Sequence, residues 1–246
     1  MAPRAAPLKL TLVLALIIWL LTACTSSPQK PEIPTLADQD QLALDEQIAA
    51  LLDQALLSSS PEREGYLVQA SQLMVDQGDY TAARNLLRAI TPERLNRTNY
   101  LNYTQALGAA ALAEGAFFLA ERTLTDQRLE QGWAGMSNQQ AVPLRRLRAE
   151  LFALQGKVEA SIQERIHLGE RLQDPEVNHQ NRKALWHTLM TLEQDQLRQN
   201  ARRTDNRELQ GWYQLAALGK DNQTTLEQQQ ARLEQWLADW PRHPAS

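Results

Sequence analysis

The 246-residue chain reads as an all-α protein, an α-solenoid of helical hairpins behind a lipidated N-terminus, and three observations predict this. Leu21-Thr22-Ala23-Cys24 closes a basic, then apolar N-terminal segment, and Cys24 is the only cysteine. From Gln41 onward leucine, alanine, glutamine, glutamate and arginine dominate while valine and isoleucine are scarce, so helix is favoured over strand. Apolar positions recur at helical spacing between Gly78, Gly115 and Gly156, which stand 37 and 41 residues apart. That period lies near the roughly 34 residues of a tetratricopeptide repeat, and the solenoid is read as tetratricopeptide-like.

Residues 1–23 form a lipoprotein signal peptide. Arg4 and Lys9 supply the basic region, Leu10 to Leu21 the apolar one, and small Ala23 precedes the cysteine. The apolar run falls short of the roughly 20 residues that a transmembrane helix needs. A thiol is required at position 24 because the lipid is attached there as a thioether. Thr25 is not the aspartate that resembles an inner-membrane retention signal, so the expected location is the periplasmic face of the outer membrane. Acyl chains add about 0.8 kcal/mol per buried CH₂, and two or three of them anchor durably. Residues 24–40 are the lipidated cysteine and a flexible tether, in which Pro28, Pro31 and Pro34 favour extended chain.

The helical domain is expected over 41–240. Ser60-Pro61-Glu62, Thr91-Pro92-Glu93 and Asp174-Pro175-Glu176 each combine an N-cap residue, a proline suited to the first helical position and an acid in the first turn. Leu67, Ala70, Leu73 and Met74 form a stripe ending at Gly78-Asp79, and Ala82, Ala83, Leu86, Leu87 and Ile90 form the next. The pattern returns around Gly115 with Leu107, Ala110 and Ala111, then Ala116, Ala120 and Leu124. Around Gly156 it comes back with Leu147, Leu151 and Leu154, then Ala160 and Ile166. Helices are then expected over roughly 180–202, 206–218 and 224–240, the last opened by a Thr224-x-x-Glu227 capping box. The total is about ten helices.

Composition and motifs exclude several functions. Without residues 1–23 the chain carries 23 basic and 29 acidic side chains, a formal −6, which does not suit a nucleic-acid binder. Once Cys24 is lipidated no thiol remains for a disulfide, a metal site or a nucleophile. His179 and His187 are eight apart with no third ligand at helical spacing, and no metal, cofactor or catalytic residue is assigned. The protein is read as a non-enzyme. Arg145, Arg146 and Arg148, with Arg202 and Arg203, are either solvated helix faces or patches for an acidic partner. Phe117 and Phe118 are read as packing between repeats, with exposure in a groove as the alternative.

Leu226, Leu233, Trp236, Leu237 and Trp240 form one apolar seam on the last helix. It either packs against Trp212, Leu215 and Leu218 of the preceding helix or presents a domain-docking face made of Trp212, Leu233, Trp236 and Trp240. Residues 241–246, Pro241-Arg242-His243-Pro244-Ala245-Ser246, read as the start of an interdomain linker.

The lipobox, the tether, Gln77-Gly78-Asp79-Tyr80-Thr81-Ala82-Ala83, Asn181-Arg182-Lys183-Ala184-Leu185-Trp186, Leu209-Gln210-Gly211-Trp212-Tyr213-Gln214-Leu215-Ala216 and Trp240-Pro241-Arg242-His243-Pro244-Ala245 together resemble the N-terminal part of the LpoA (LppC) family of outer-membrane lipoproteins. The resemblance implies binding and activation of a class A penicillin-binding protein, anchorage to outer-membrane lipid through Cys24, and a role in peptidoglycan synthesis. Family members continue beyond the Trp-Pro-x-His-Pro stretch into an α/β domain, so the resemblance also implies a truncated or split product; apart from Cys24 it transfers no binding residue. The alternative is a tetratricopeptide-type lipoprotein scaffold of another envelope pathway, such as outer-membrane β-barrel assembly.

Overall fold

The computed structural model describes residues 36–221 and 224–245, with side chains from Asp40 onward. The chain divides into two compact units, Met1–Ala43 and Leu44–Ser246, and the second holds everything discussed below except the first turns of helix α1. The described residues form twelve α-helices and no strand. They are α1 (Leu36–Leu57), α2 (Glu62–Asp76), α3 (Tyr80–Leu87), α4 (Arg97–Ala113), α5 (Phe117–Leu124), α6 (Gln127–Gly132), α7 (Asn138–Leu154), α8 (Val158–Gly169), α9 (Pro175–Leu189), α10 (Gln194–Arg203), α11 (Arg207–Gly219) and α12 (Leu226–Asp239). Short 3₁₀ turns lie at Pro92–Arg94 and Trp133–Gly135.

The three bend glycines do one job in one way. Gly78, Gly115 and Gly156 have φ of 82°, 70° and 71°, a left-handed backbone that costs an L-residue about 1–2 kcal/mol. At each, the glycine N–H bonds back to Val75, Leu112 or Ala153, and the next N–H to Met74, Ala111 or Phe152 at 2.8 Å. This pair of hydrogen bonds closes orphan carbonyls of α2, α4 and α7 and reverses the chain. The hairpins α2–α3, α4–α5 and α7–α8 result.

Side-chain bonds between hairpins reveal the repeat more evenly than the glycines do. Gln77 donates to Asp45, Thr81 to Glu114, Arg128 to the Leu95 carbonyl, Asn138 to the Arg171 carbonyl and Gln155 to Glu121, across 32 to 34 residues in each case. Each such bond ties a position to its near-equivalent one repeat away. The spacing of 41 between Gly115 and Gly156 arises because α6 and its 3₁₀ extension are inserted between α5 and α7.

Two apolar cores result. One gathers Val68, Leu87, Leu101, Leu107, Leu124, Leu144 and Leu151 from α2 to α7, the other Ile162, Leu185, Leu189, Leu197, Leu209 and Tyr213 from α8 to α11. Burying each such side chain contributes about 1.5–3 kcal/mol.

Local expectations meet mixed results. Asp174 caps α9 by accepting from the Glu176 and Val177 amides, with Pro175 in the first position. Thr91-Pro92-Glu93 opens only the 3₁₀ turn; α4 starts five residues later, where the Asn96 side chain accepts from the Asn99 amide. Pro61 occupies the N-cap of α2, not its first helical position. The capping box of α12 is Thr225 with Gln228, one residue beyond the expected pair, because Thr224-Thr225-Leu226-Glu227-Gln228 satisfies the motif in two registers. The helix expected over 180–202 is two, α9 and α10, broken at residues 190–193. Leu154, expected in a core stripe, is exposed at the end of α7. Phe117 and Phe118 do not pack between repeats: they are 40% and 80% exposed, since the bend at Gly115 turns the first residues of α5 outward.

Candidate functional site

Cys24 lies outside the described residues. The arginines divide between surface and interior: Arg146, Arg202 and Arg203 are exposed, whereas the Arg145 and Arg148 side chains keep only 11% and 10% of their surface. Between the two cores, Glu164 of α8 accepts a hydrogen bond from Arg145 at 2.6 Å and forms an ion pair with Arg148, whose Nε stands 2.9 Å from the second carboxylate oxygen. Arg148 also bonds the Leu124 carbonyl at 3.1 Å and pairs with Glu130. The Trp133 ring lies 4.2 Å from the Arg145 guanidinium and 5.3 Å from that of Arg148. Arg145 and Arg148 are therefore internal connectors, and the basic surface at this point is reduced to Arg146.

The seam on α12 splits. At about 100° per residue, Leu226, Leu233 and Leu237 lie within about 20° of one direction, while Trp236 sits about 80° away. Trp236 turns onto α11, is 4% exposed and donates from Nε1 to the Gly211 carbonyl at 3.2 Å. Trp240, half-buried, donates to Gln214 Oε1 at 3.1 Å. Leu226, Leu233 and Leu237 face outward at 83%, 44% and 41% exposure. Trp212 is also 4% exposed. Of the four residues read as a docking face, Trp212 and Trp236 are packed inside the chain's own joint, and Leu233 remains available.

The packing partner is the segment read as a linker. After Trp240 the chain turns back, the His243 amide bonding the Trp240 carbonyl at 3.1 Å. The His243 ring then meets Trp212, Trp236 and Trp240 edge-on, with centroids 4.9, 5.1 and 5.8 Å away. Gly211 makes this possible, because a Cβ there would stand 2.6 Å from His243 Cδ2. Arg182 of α9 fastens the far side by donating to the Pro244 carbonyl at 3.0 Å.

These bonds fix the protonation state of His243. Its Nε2 stands 2.9 Å from the Glu208 carbonyl, which only accepts, and its Nδ1 accepts from the Ala245 amide at 3.2 Å. The ring is thus neutral with its proton on Nε2. Burial holds its pKa below the ordinary 6.5, outweighing the Glu208 carbonyl, which acts the other way. Because the folded value is the lower one, the unfolded chain takes up protons first as pH falls. The stabilisation from this group is complete above about pH 6.5 and is lost progressively below it, down through the folded pKa. Urea unfolding at pH 7.5 and 5.0 should show a loss in the unaltered chain that is reduced in His243→Gln; identical losses would remove His243 from the joint's pH response.

Among the described residues, no three or more His, Cys, Asp or Glu are grouped to hold a metal ion, and no helix is long and apolar enough to cross a membrane.

Comparison with known proteins gives a consistent result. A family model described as "LppC putative lipoprotein" matches residues 41–246. The penicillin-binding protein activator LpoA of Vibrio cholerae is 24% identical over 243 residues, covering 99% of this chain and 38% of the relative. The protein of the same description from Escherichia coli is 27% identical over 201 residues, 80% of this chain and 28% of the relative. The chain thus spans well under half the length of the curated relatives it matches. Its fold resembles the crystal structure of the E. coli LpoA amino-terminal domain, with a TM-score of 0.60, 20% identity, and coverage of 87% of this chain and 93% of that domain.

Proposed function

Because the chain belongs to the LppC lipoprotein family, we propose that it is a non-catalytic lipoprotein that supports peptidoglycan synthesis by binding and activating a class A penicillin-binding protein. In this reading Cys24 carries the lipid after removal of residues 1–23, and the chain is held on the periplasmic face of the outer membrane. The residues between Cys24 and α1 supply reach, and the helical body that begins with α1 at Leu36 presents the binding surface. The family match over 41–246 carries the reading, and the fold shared with the amino-terminal domain of a penicillin-binding protein activator supports it. Activation by contact requires that the chain bind the active state of the synthase better than the inactive one, since equal affinity would shift nothing. The outward leucines of α12, with Leu233 at their centre, offer an apolar surface for another folded domain.

The test reconstitutes a class A synthase in detergent with and without the chain. Retention of the synthase on the immobilised chain and a higher cross-link yield in the peptidoglycan made are the expected results. Retention without a rise in cross-linking would refute activation. Recovery of the β-barrel assembly core from envelope extracts, without any penicillin-binding protein, would assign the chain to that pathway instead.

A further inference from the structure

Three remote segments converge on a second feature of the C-terminal half. Residues of α9 between His179 and Trp186, Trp212 and Leu215 of α11 and the folded-back Pro244-Ala245 line an open groove of about 640 Å³. Its cations are Arg182 and Lys183, beside the exposed His179, and its apolar wall is Trp186 and Leu215 with Pro244. Trp186 is held in place because Gly219 leaves room for its six-membered ring, which lies 3.3 Å from where a Cβ would stand.

The lining contains no carboxylate, although the chain as a whole carries 29 acidic against 25 basic side chains. Such a wall attracts anions. Guanidinium, ammonium and indole groups donate hydrogen bonds and do not accept them. A His179 ring nitrogen is the one side-chain acceptor in this lining, too few for a neutral glycan's hydroxyls, whereas peptide carboxylates need donors only. The volume matches a drug-sized ligand and not a folded domain face, and the indole and proline surfaces ask for an apolar side chain. We propose that this groove binds a short acidic segment of a partner protein, an extended peptide whose apolar side chain lies against Trp186 while flanking carboxylates meet Lys183 and Arg182. The site would operate whether or not a synthase is the partner.

The test selects random heptapeptides displayed on phage against the 246-residue chain in detergent micelles, then measures the enriched peptides by fluorescence anisotropy. Enrichment of net-acidic peptides with at least one leucine or aromatic residue is expected. Their affinity should fall at least about tenfold in the His179→Glu/Lys183→Glu chain and should weaken at high salt. Both positions are solvent-exposed, so an unchanged melting curve confirms that the variant folds. Enrichment of neutral or basic peptides, no enrichment, or equal binding by the charge-reversed chain would each overturn the proposal. So would displacement of tryptophan fluorescence by soluble murein fragments alone, which would assign the groove to glycan.

Discussion

Replacing Glu164 with alanine is expected to destabilise the fold by about 3–5 kcal/mol, the range for removing one partner of a buried ion pair. The carboxylate keeps 8% of its side-chain surface and is ion-paired with two arginines that are nearly as enclosed. Its loss leaves Arg145 over the Trp133 ring without a counter-charge, and Arg148 with only Glu130 and the Leu124 carbonyl. Desolvation makes the unpaired guanidinium the costly species, more than the missing bond itself. Substituting the group as a whole should behave differently. Glu164→Leu combined with Arg145→Met and Arg148→Met removes the charges together, so most of the stability should return. Urea midpoints of the single and triple variants check this; a single-variant loss under about 1 kcal/mol would show that solvent reaches the cluster.

The position of that cluster explains why charge pattern alone misplaced it. Arg145, Arg146 and Arg148 are adjacent in sequence, but their partner Glu164 lies across the Gly156 bend, and nothing local distinguishes a paired arginine from a solvated one. Sequence was informative where the determinant was itself local. A left-handed turn at a helix end demands glycine, and all three bend glycines have that conformation. The Asp174 cap with Pro175 is likewise read from three residues. Thr91-Pro92-Glu93 carries the same signature, yet a 3₁₀ turn uses it equally well, and the Asn96 cap that opens α4 was the stronger signal nearby.

The C-terminal joint was half legible. Periodicity placed Trp236, Trp240 and the leucines on one helical stripe, but a stripe about 100° wide can face two neighbours, and only the folded-back tail decides which side is covered. That tail reads as linker because proline breaks its helix at Trp240. One sequence signal pointed to the close approach: a glycine inside a helical pattern, at position 211, beside a tryptophan.

Gly211→Ala is therefore expected to be costly despite adding one methyl group to a helix, where alanine has the higher propensity. By propensity alone the change would stabilise by up to about 1 kcal/mol. Against that, the new Cβ would stand 2.6 Å and 2.8 Å from His243 Cδ2 and Nε2 and 3.1 Å from Trp240 Cε3. Overpacking of this kind costs about 1–3 kcal/mol, and here the ring has a way out because it sits on a chain segment four residues past the end of α12. Ejection would leave the Glu208 carbonyl without its His243 bond and open the Trp212–Trp236 cleft to water. A net loss of about 2 kcal/mol should then come with a red-shifted tryptophan emission and faster proteolysis after residue 240. Gly219→Ala is the control, its Cβ meeting Trp186 only at 3.3 Å and 3.4 Å. The decisive reading is pH. If His243 is expelled, the Gly211→Ala chain should lose the same stability dependence below about pH 6.5 that His243→Gln loses, because a solvated imidazole titrates alike in the folded and unfolded states. A variant that is destabilised but keeps the full pH dependence would mean that the helix has moved and the histidine has stayed.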